Sequence, residues 1–417
     1  MTATREEIQD LDEALRATGA PLVAVAGNDF PTSQTCIPRT QLISKVAEAL
    51  SNPVEYPPLA RAIVPGDQVA IAADESTPCL PEVVAGVVDY LLTNGMTTDS
   101  ITVVTRYQQV QEQLSEFFTL LGQDSPRVVI HDPADQNALC FVGMTEDGHT
   151  LLINRTLYEA DVIVPIGCAR LAEVPGHAGL YDSLYPRFSD AETVTRWQSP
   201  AGIEFDSHPS WQRHANEAGW LLGVPLVLQV VPGPNGNVMT LLAGDSRTIA
   251  RRANELCDSL WTRSVPSPAS LVIATISGSD VHHNWENVAR AIRASNPILV
   301  EGGALAICCP RLSTEPKSIR QLATMDDPTT LQSHLRNDAE NDTWSAWELV
   351  QALDQGPVYL LSDLNHEMVE DLGIAPVKNI TELARLASRQ TSCIVLPDAH
   401  HVVAALCSLE DCEDQAQ

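Results

Sequence analysis

What the sequence lacks narrows it first. No apolar run approaches the roughly 20 residues that a membrane-spanning helix needs. The acidic start, MTATREEIQDLDEAL, is unlike a secretory signal or an arginine-rich transit peptide. The ten cysteines contain no C-x-x-C spacing, and apart from Cys308-Cys309 they stand singly. That pattern supports neither a thioredoxin-like redox motif nor a zinc knuckle, and reduced thiols packed as small hydrophobes are expected. A cytoplasmic location is expected with them. Cations are scarce: 25 Lys and Arg face 54 Asp and Glu, a net charge of −29. Such a surface repels nucleic-acid phosphates and anionic membranes, so neither is an expected partner. A locally basic pocket can still take a small anionic or hydroxy-acid ligand.

The common catalytic signatures are missing too. There is no G-x-x-x-x-G-K-[ST], no G-x-G-x-x-G after a strand, no G-x-S-x-G and no H-E-x-x-H. The runs GPNG and EGGA read as turns.

What is present is alternation. At 417 residues the chain exceeds one ordinary core. The Pro/Ser stretch Ser264 to Ser270 suggests a division into residues 1–264 and 265–417. An amphipathic opening helix, the apolar run Leu22 to Gly27 and a helix over 40–51 lead in. Strands at Val69 to Ala73, Ile101 to Val104 and Arg127 to Ile130 then alternate with helices beginning near Pro81 and spanning 109–121. A hairpin turns at Asp147-Gly148, a second at Pro234-Asn235-Gly236, and a helix covers 246–261. After the proline stretch the pattern resumes with LVIATISG, a helix over 284–294, ALAICC, the polar insertion TMDDPTTLQSHLRNDAENDTW, PVYLLSDL and CIVLP. Strands alternating with helices predict two α/β domains with mainly parallel sheets and a ligand cleft between them.

The most informative stretch is VIVPIGCARLAEVPGHAGLYDSLYPRFSD, Val162 to Asp190. A buried strand ends at Gly167 and runs into a long loop bearing Pro175, Gly176 and Gly179. Loops beyond the carboxyl ends of parallel strands are where ligands sit. His177 lies in that loop, as a proton carrier or an ordinary loop histidine. Asp74-Glu75 at the end of the Val69 strand is the best-placed carboxylate pair, with helix capping by Asp74, Ser76 or Thr77 as the alternative. His131 reads as a turn residue with a site role as the alternative. His208 and His214 lack the spacing of a metal pair. The doublets His282-His283 and His400-His401 read as solvated surface features, because adjacent side chains diverge.

The order of segments resembles the nickel-dependent lactate racemase family. PGDQVAIAADESTPCLP is similar to that family's strand and Asp-x-Thr-Arg-Pro loop. HDPADQNALCFVGMTEDGHTLLINRTLYEADVIVPIG follows its hairpin and next strand, and LVIATISGSDVHHNWENVARAI with VEGGALAICC continues the match. The resemblance implies 2-hydroxy-acid racemisation on a nickel-pincer nucleotide carried by a lysine, with histidines as acid and base. On these positions it places Asp182 at the lysine, Ala172 and Gln109 at the two histidines, and Gln198 at the nickel ligand. Pro78 falls at the substrate arginine, Glu75 at the acidic residue of the same loop, and Asn287 and Arg290 at the second-domain Gln and Lys. A covalent nickel-pincer nucleotide is therefore not expected, and no metal is expected at Gln198.

The candidate catalytic set is then Glu75, Gln109, His177 and Asp182. Arg106, Arg170, Asn287 and Arg290 are the candidates for binding substrate. Three readings remain open: a divergent isomerase or lyase on a small carboxylate or sugar acid, an inactive ligand- or partner-binding paralogue, and a genuine nickel-dependent racemase.

Overall fold

The computed structural model describes residues 11, 13–25, 35–203, 208–324 and 343–407. The tail beyond Glu410 and nearly all of the polar insertion lie outside the described residues.

The first sheet forms where valine- and alanine-rich runs are buried on both faces, as parallel strands require. β1 (Leu22–Val25) comes first in the chain, and β2 (Val69–Ala73), β3 (Ile101–Thr105) and β4 (Arg127–Ile130) follow. β5 (Leu139–Met144) and β6 (Thr150–Asn154) make the hairpin about Asp147-Gly148, antiparallel to each other. β7 (Val162–Cys168), β8 (Val227–Pro232) and β9 (Val238–Gly244) complete the first half. The sheet order is β4-β3-β2-β7-β8-β9, parallel except for the closing β8-β9 hairpin. The helix Leu80–Thr93 crosses from β2 to β3 with Pro81 in its first turn. It buries Val83, Val84, Val87, Val88 and Leu91.

The second half holds β10 (Thr262–Val265), β11 (Ala269–Thr275), β12 (Leu299–Cys308), β13 (Val358–Leu361), β14 (Ala375–Pro376), β15 (Cys393–Leu396) and β16 (Val403–Leu406). Its sheet runs β1-β15-β11-β12-β13-β14, all parallel, while β10 and β16 pair as a separate ribbon. The expected linker is only a short bend, since β10 ends at Val265 and β11 begins at Ala269. The run at Leu22 supplies β1, which crosses back to the edge of this second sheet beside β15.

The order in which the chain adds strands reverses once in each sheet. In the first the reversal lies between β2 and β7, in the second between β11 and β15. The carboxyl ends at such reversals form the crevice where α/β proteins hold ligands. Here the two crevices face each other. His282, after β11, donates from Nε2 to the Ser76 carbonyl after β2 at 3.2 Å. Leu171 and Val174 from the glycine loop share one apolar core with Ala274, Ile276 and Trp285 of the second half.

Candidate functional site

The site starts at the end of β2. The Asp74 N–H donates to the Ile166 carbonyl at 3.0 Å, and its carboxylate accepts the Cys168 N–H at 3.4 Å. The same carboxylate accepts the Ser76 N–H at 2.9 Å and the Ser76 hydroxyl at 2.6 Å. Asp74 therefore stitches β2 to β7 at the reversal. The helix that follows carries no side-chain cap, so the capping alternative for these residues is not the one realised.

Arg187 is the hub beneath this turn. Its Nη1 donates to Glu75 Oε1 at 2.8 Å and lies 3.4 Å from Asp74 Oδ1. Its Nη2 is 3.8 Å from Asp182 Oδ2, and its guanidinium sits 5.5 Å from the Trp197 ring centroid. Arg106, at the end of β3, donates from Nε to Glu75 Oε1 at 2.9 Å and also pairs with it through Nη2. Arg170, after β7, donates from Nη1 to Ser76 Oγ at 3.1 Å. Arg290 pairs with Glu286 on the helix Trp285–Ser295, so four arginines (106, 170, 187, 290) meet four carboxylates (Asp74, Glu75, Asp182 and Glu286) around the two crevices.

The charges hold one another ionised. Burial would raise the Asp74 pKa, but the Arg187 and Arg170 guanidinium groups overcome it and hold the carboxyl below its ordinary range. Glu286 is likewise lowered, Arg290, Arg106 and Arg187 outweighing its burial. Burial disfavours the Arg187 cation, yet Asp74, Glu75 and Asp182 carry its pKa well above normal. Not every group is satisfied. Nε and Nη2 of both Arg170 and Arg187, and Glu75 Oε2, are buried without a hydrogen-bond partner. Each orphaned donor or acceptor costs roughly 1–3 kcal/mol, and such groups cluster at functional sites.

The glycine loop brings the remaining candidates in. Gly176 has φ +72°, and a Cβ there would lie 3.0 Å from Arg290 Nη2. Glycine thus allows the loop to lie against Arg290, which donates from Nε to the Pro175 carbonyl at 3.0 Å. Asn287 Oδ1 accepts Arg290 Nη1 at 2.7 Å, and its Nδ2 donates to the His282 carbonyl at 2.8 Å. Arg290 and Asn287 are therefore committed to clamping the loop. His177 Nδ1 meets Asp182 Oδ2 at 3.0 Å, both side chains at most 9% exposed. Beside them a cavity of about 30 Å³ is lined by Ala172, Val174, His177, Trp197, Ile203 and Trp211.

The sequence-derived candidates divide cleanly. Glu75, His177, Asp182, Arg106, Arg170, Asn287 and Arg290 converge. Gln109 is exposed on the helix Gln108–Leu121, outside the buried network. Gln198 caps the helix Ala191–Trp197, its N–H donating to the Val194 carbonyl at 2.9 Å. Arg187 is the residue sequence reasoning missed; its only local signal is a lone cation in the apolar run SLYPRFS.

The histidine doublets correct the surface expectation. His282, His283, His400 and His401 are all buried, at 2–5% exposure. They sit on single 3₁₀ turns after β11 and β15, Asp280–His282 and Ala399–His401. Adjacent side chains do diverge there, but cover lies on both sides. His401 packs 5.1 Å from Trp261 and 4.0 Å from the His400 ring. His283 lies between Cys309 Sγ at 3.4 Å and Arg311 Nη2 at 2.7 Å. Burial lowers His282 to about 4 and His283 to about 3. His131 is structural: one nitrogen meets the Ser189 carbonyl at 2.8 Å and the other Asn154 Nδ2 at 3.1 Å. Among the described residues no group of three His, Cys, Asp or Glu side chains is arranged to hold a metal ion.

Two mainly parallel sheets meet end to end, with the glycine loop of the first clamped by the second, and this α/β fold is similar to that of lactate racemase. Residues 29–198 match the family described as lactate racemase N-terminal domain. The lactate racemase of Thermoanaerobacterium thermosaccharolyticum is 22% identical over 312 residues, 70% of this chain and 73% of the relative. The lactate racemase apoprotein structure from that organism is similar at a TM-score of 0.70 and 20% identity, covering 92% of this chain and 100% of its own. A protein from Thermotoga maritima is similar at 0.66 and 12% identity, covering 90% and 100%.

Proposed function

We propose that this lactate racemase-like protein is a divergent isomerase or lyase on a small carboxylate or hydroxy acid, working in the cleft without the nickel-pincer nucleotide. The observation that carries it is the His177-Asp182 dyad beside buried arginines with unfilled hydrogen-bond donors. Asp182 takes the proton on Nδ1, which makes Nε2 the basic nitrogen. A substrate carboxylate on the arginine groups would bring its α-carbon proton toward His177. The arginines would stabilise the enediolate left by its removal. A proton delivered by water to the other face gives the epimer, and departure of a β-hydroxyl as water, carrying the proton His177 has taken, gives the unsaturated acid.

The residues present do not fit the family's cofactor. Asp182 stands at the lysine position, and its carboxylate, already held by His177 and near Arg187, cannot form the thioamide. Ala172 and Gln198 supply neither a proton carrier nor the imidazole ligand. The chain is read as two units, 1–264 and 265–417, with β1 lent to the second sheet, and as acting in the cytoplasm.

The test is deuterium wash-in at the α-carbon of lactate and related hydroxy acids in D₂O, followed by NMR. Exchange should fall at least about 100-fold in His177→Ala. Stoichiometric nickel with a covalent adduct in the intact mass, or no exchange with any acid tried, would end this reading.

A further inference from the structure

The helix His208–Leu221 has two faces of different make. Trp211, Ala215 and Ala218 turn inward and join a core with Leu151, Ile153 and Tyr185. The opposite stripe, Pro209, Gln212, Arg213, Asn216, Glu217 and Trp220, recurs every three or four residues and lines a shallow hollow of about 370 Å³. Trp220 stands at one end of it, 79% exposed. The first four of these residues have the i, i+3, i+4, i+7 spacing of a hole that receives a knob from a facing helix. Knob and hole therefore lie on one helix face. The charge of the stripe is self-matching as well. The chain carries 54 acidic against 25 basic residues, yet this stripe holds one Arg213, one Glu217 and no net charge. Two copies with a net charge of −29 each can meet here without adding like charges to the contact.

We propose that this stripe is a self-association surface, on which two copies of the chain pack the helix His208–Leu221 antiparallel about a two-fold axis, each Trp220 filling the partner's hollow. A two-fold contact uses the same patch on both chains, so one knob and one hole on a single helix satisfy both copies at once. With Trp220 seated between the partner's Gln212 and the partner's Arg213, Glu217 falls within one helical turn of the partner's Arg213. Two charge pairs then form across the axis. The helix has 14 residues. A face of that length, about 21 Å, buries on the order of 1,000 Å² in total, the size of a weak, reversible dimer. The contact also reaches the site. A Cβ at Gly179 of the glycine loop would lie 3.0 Å from Gln212 Cγ, and one at Gly219 would lie 2.6 Å from the Tyr181 ring. Trp211 lines the cavity beside His177. The partner copy thus buttresses the helix that covers the glycine loop.

Sedimentation velocity of the full chain from about 1 to 100 μM tests this. The mass should rise with concentration toward twice the 45.1 kDa of one chain. Trp220→Glu should weaken the dimer at least about 100-fold with the circular dichroism unchanged, because the exposed indole enters the contact twice. Arg213→Glu and Glu217→Arg should each be monomeric alone and pair when mixed, since only the mixture sets opposite charges across the axis. A single-chain mass throughout the range overturns the pairing and leaves the stripe to a different protein. A dimer that survives Trp220→Glu lies on another surface and overturns it equally. So does a wild type that pairs while the two mixed charge variants stay apart.

Discussion

Arg187 answers to three carboxylates at once, so its removal is the harshest single change the site admits. Arg187→Ala would leave Asp74, Glu75 and Asp182 buried without their shared cation. Breaking a buried pair from one side costs roughly 3–5 kcal/mol. Urea unfolding at pH 7 should show a loss of that order, and a loss under about 1 kcal/mol would show the cluster to be wet and screened. Acid acts in the same direction. The Asp74 and Glu286 pKa values are depressed in the fold, so their stabilisation is full above the ordinary carboxylate range and fades as pH falls below about 4. Glu75, Arg106 and Arg170 stand at strand ends and His177 and Asp182 in the glycine loop, positions that a sequence marks locally, while Asn287 and Arg290 lie on the helix Trp285–Ser295 and follow only from the family resemblance. Arg187 was not legible, because Glu75 lies 112 residues away in the chain and no local pattern announces such a pair.

At the scale of single elements, the two 3₁₀ turns carry the next prediction. Four histidines are buried neutral in or just after them, with pKa values below the unfolded value near 6.5. The unfolded chain therefore binds more protons, and stability held above pH 6.5 is lost as pH falls toward 4. Each such histidine contributes a slope of up to about 1.4 kcal/mol per pH unit. Urea midpoints at pH 7, 6 and 5 should fall steeply, well before the carboxylates titrate. His400→Gln, a substitution at a side chain with an unpartnered Nδ1, should flatten that slope. An unchanged midpoint between pH 7 and 5 would mean these rings reach water. The doublets were misread because divergence of neighbours implies exposure only on an isolated helix or strand. Strands and hairpins were read well, since both-face burial and Asn-Gly or Asp-Gly turns are local signals. The crossing of β1 to the second sheet was not, because pairing over more than 360 residues leaves no periodic trace.

The two halves share one apolar core, and the Asn235-Gly236 turn adds a polar contact between their crevices. The Asn235 N–H donates to Asp398 Oδ2 at 2.9 Å, and Asp398 in turn accepts the Ser277 hydroxyl. The turn of the β8-β9 hairpin is thereby keyed into the reversal point of the second sheet. Gly236 has φ +66°, and a Cβ there would lie 2.5 Å from Gly278 Cα. Gly236→Ala therefore meets two penalties: a left-handed backbone, about 1–2 kcal/mol for a residue with a Cβ, and a backbone overlap that no side-chain rotation relieves. A local parting of the two halves at this turn relieves the overlap. Parting also loosens the His282-Ser76 and Arg290-Pro175 hydrogen bonds, two further contacts between the crevices. The variant should show a larger radius of gyration by small-angle scattering, a lower melting temperature and weaker carboxylate binding together. A lower melting temperature with unchanged radius and binding would place the strain within the hairpin and leave closure independent of this turn.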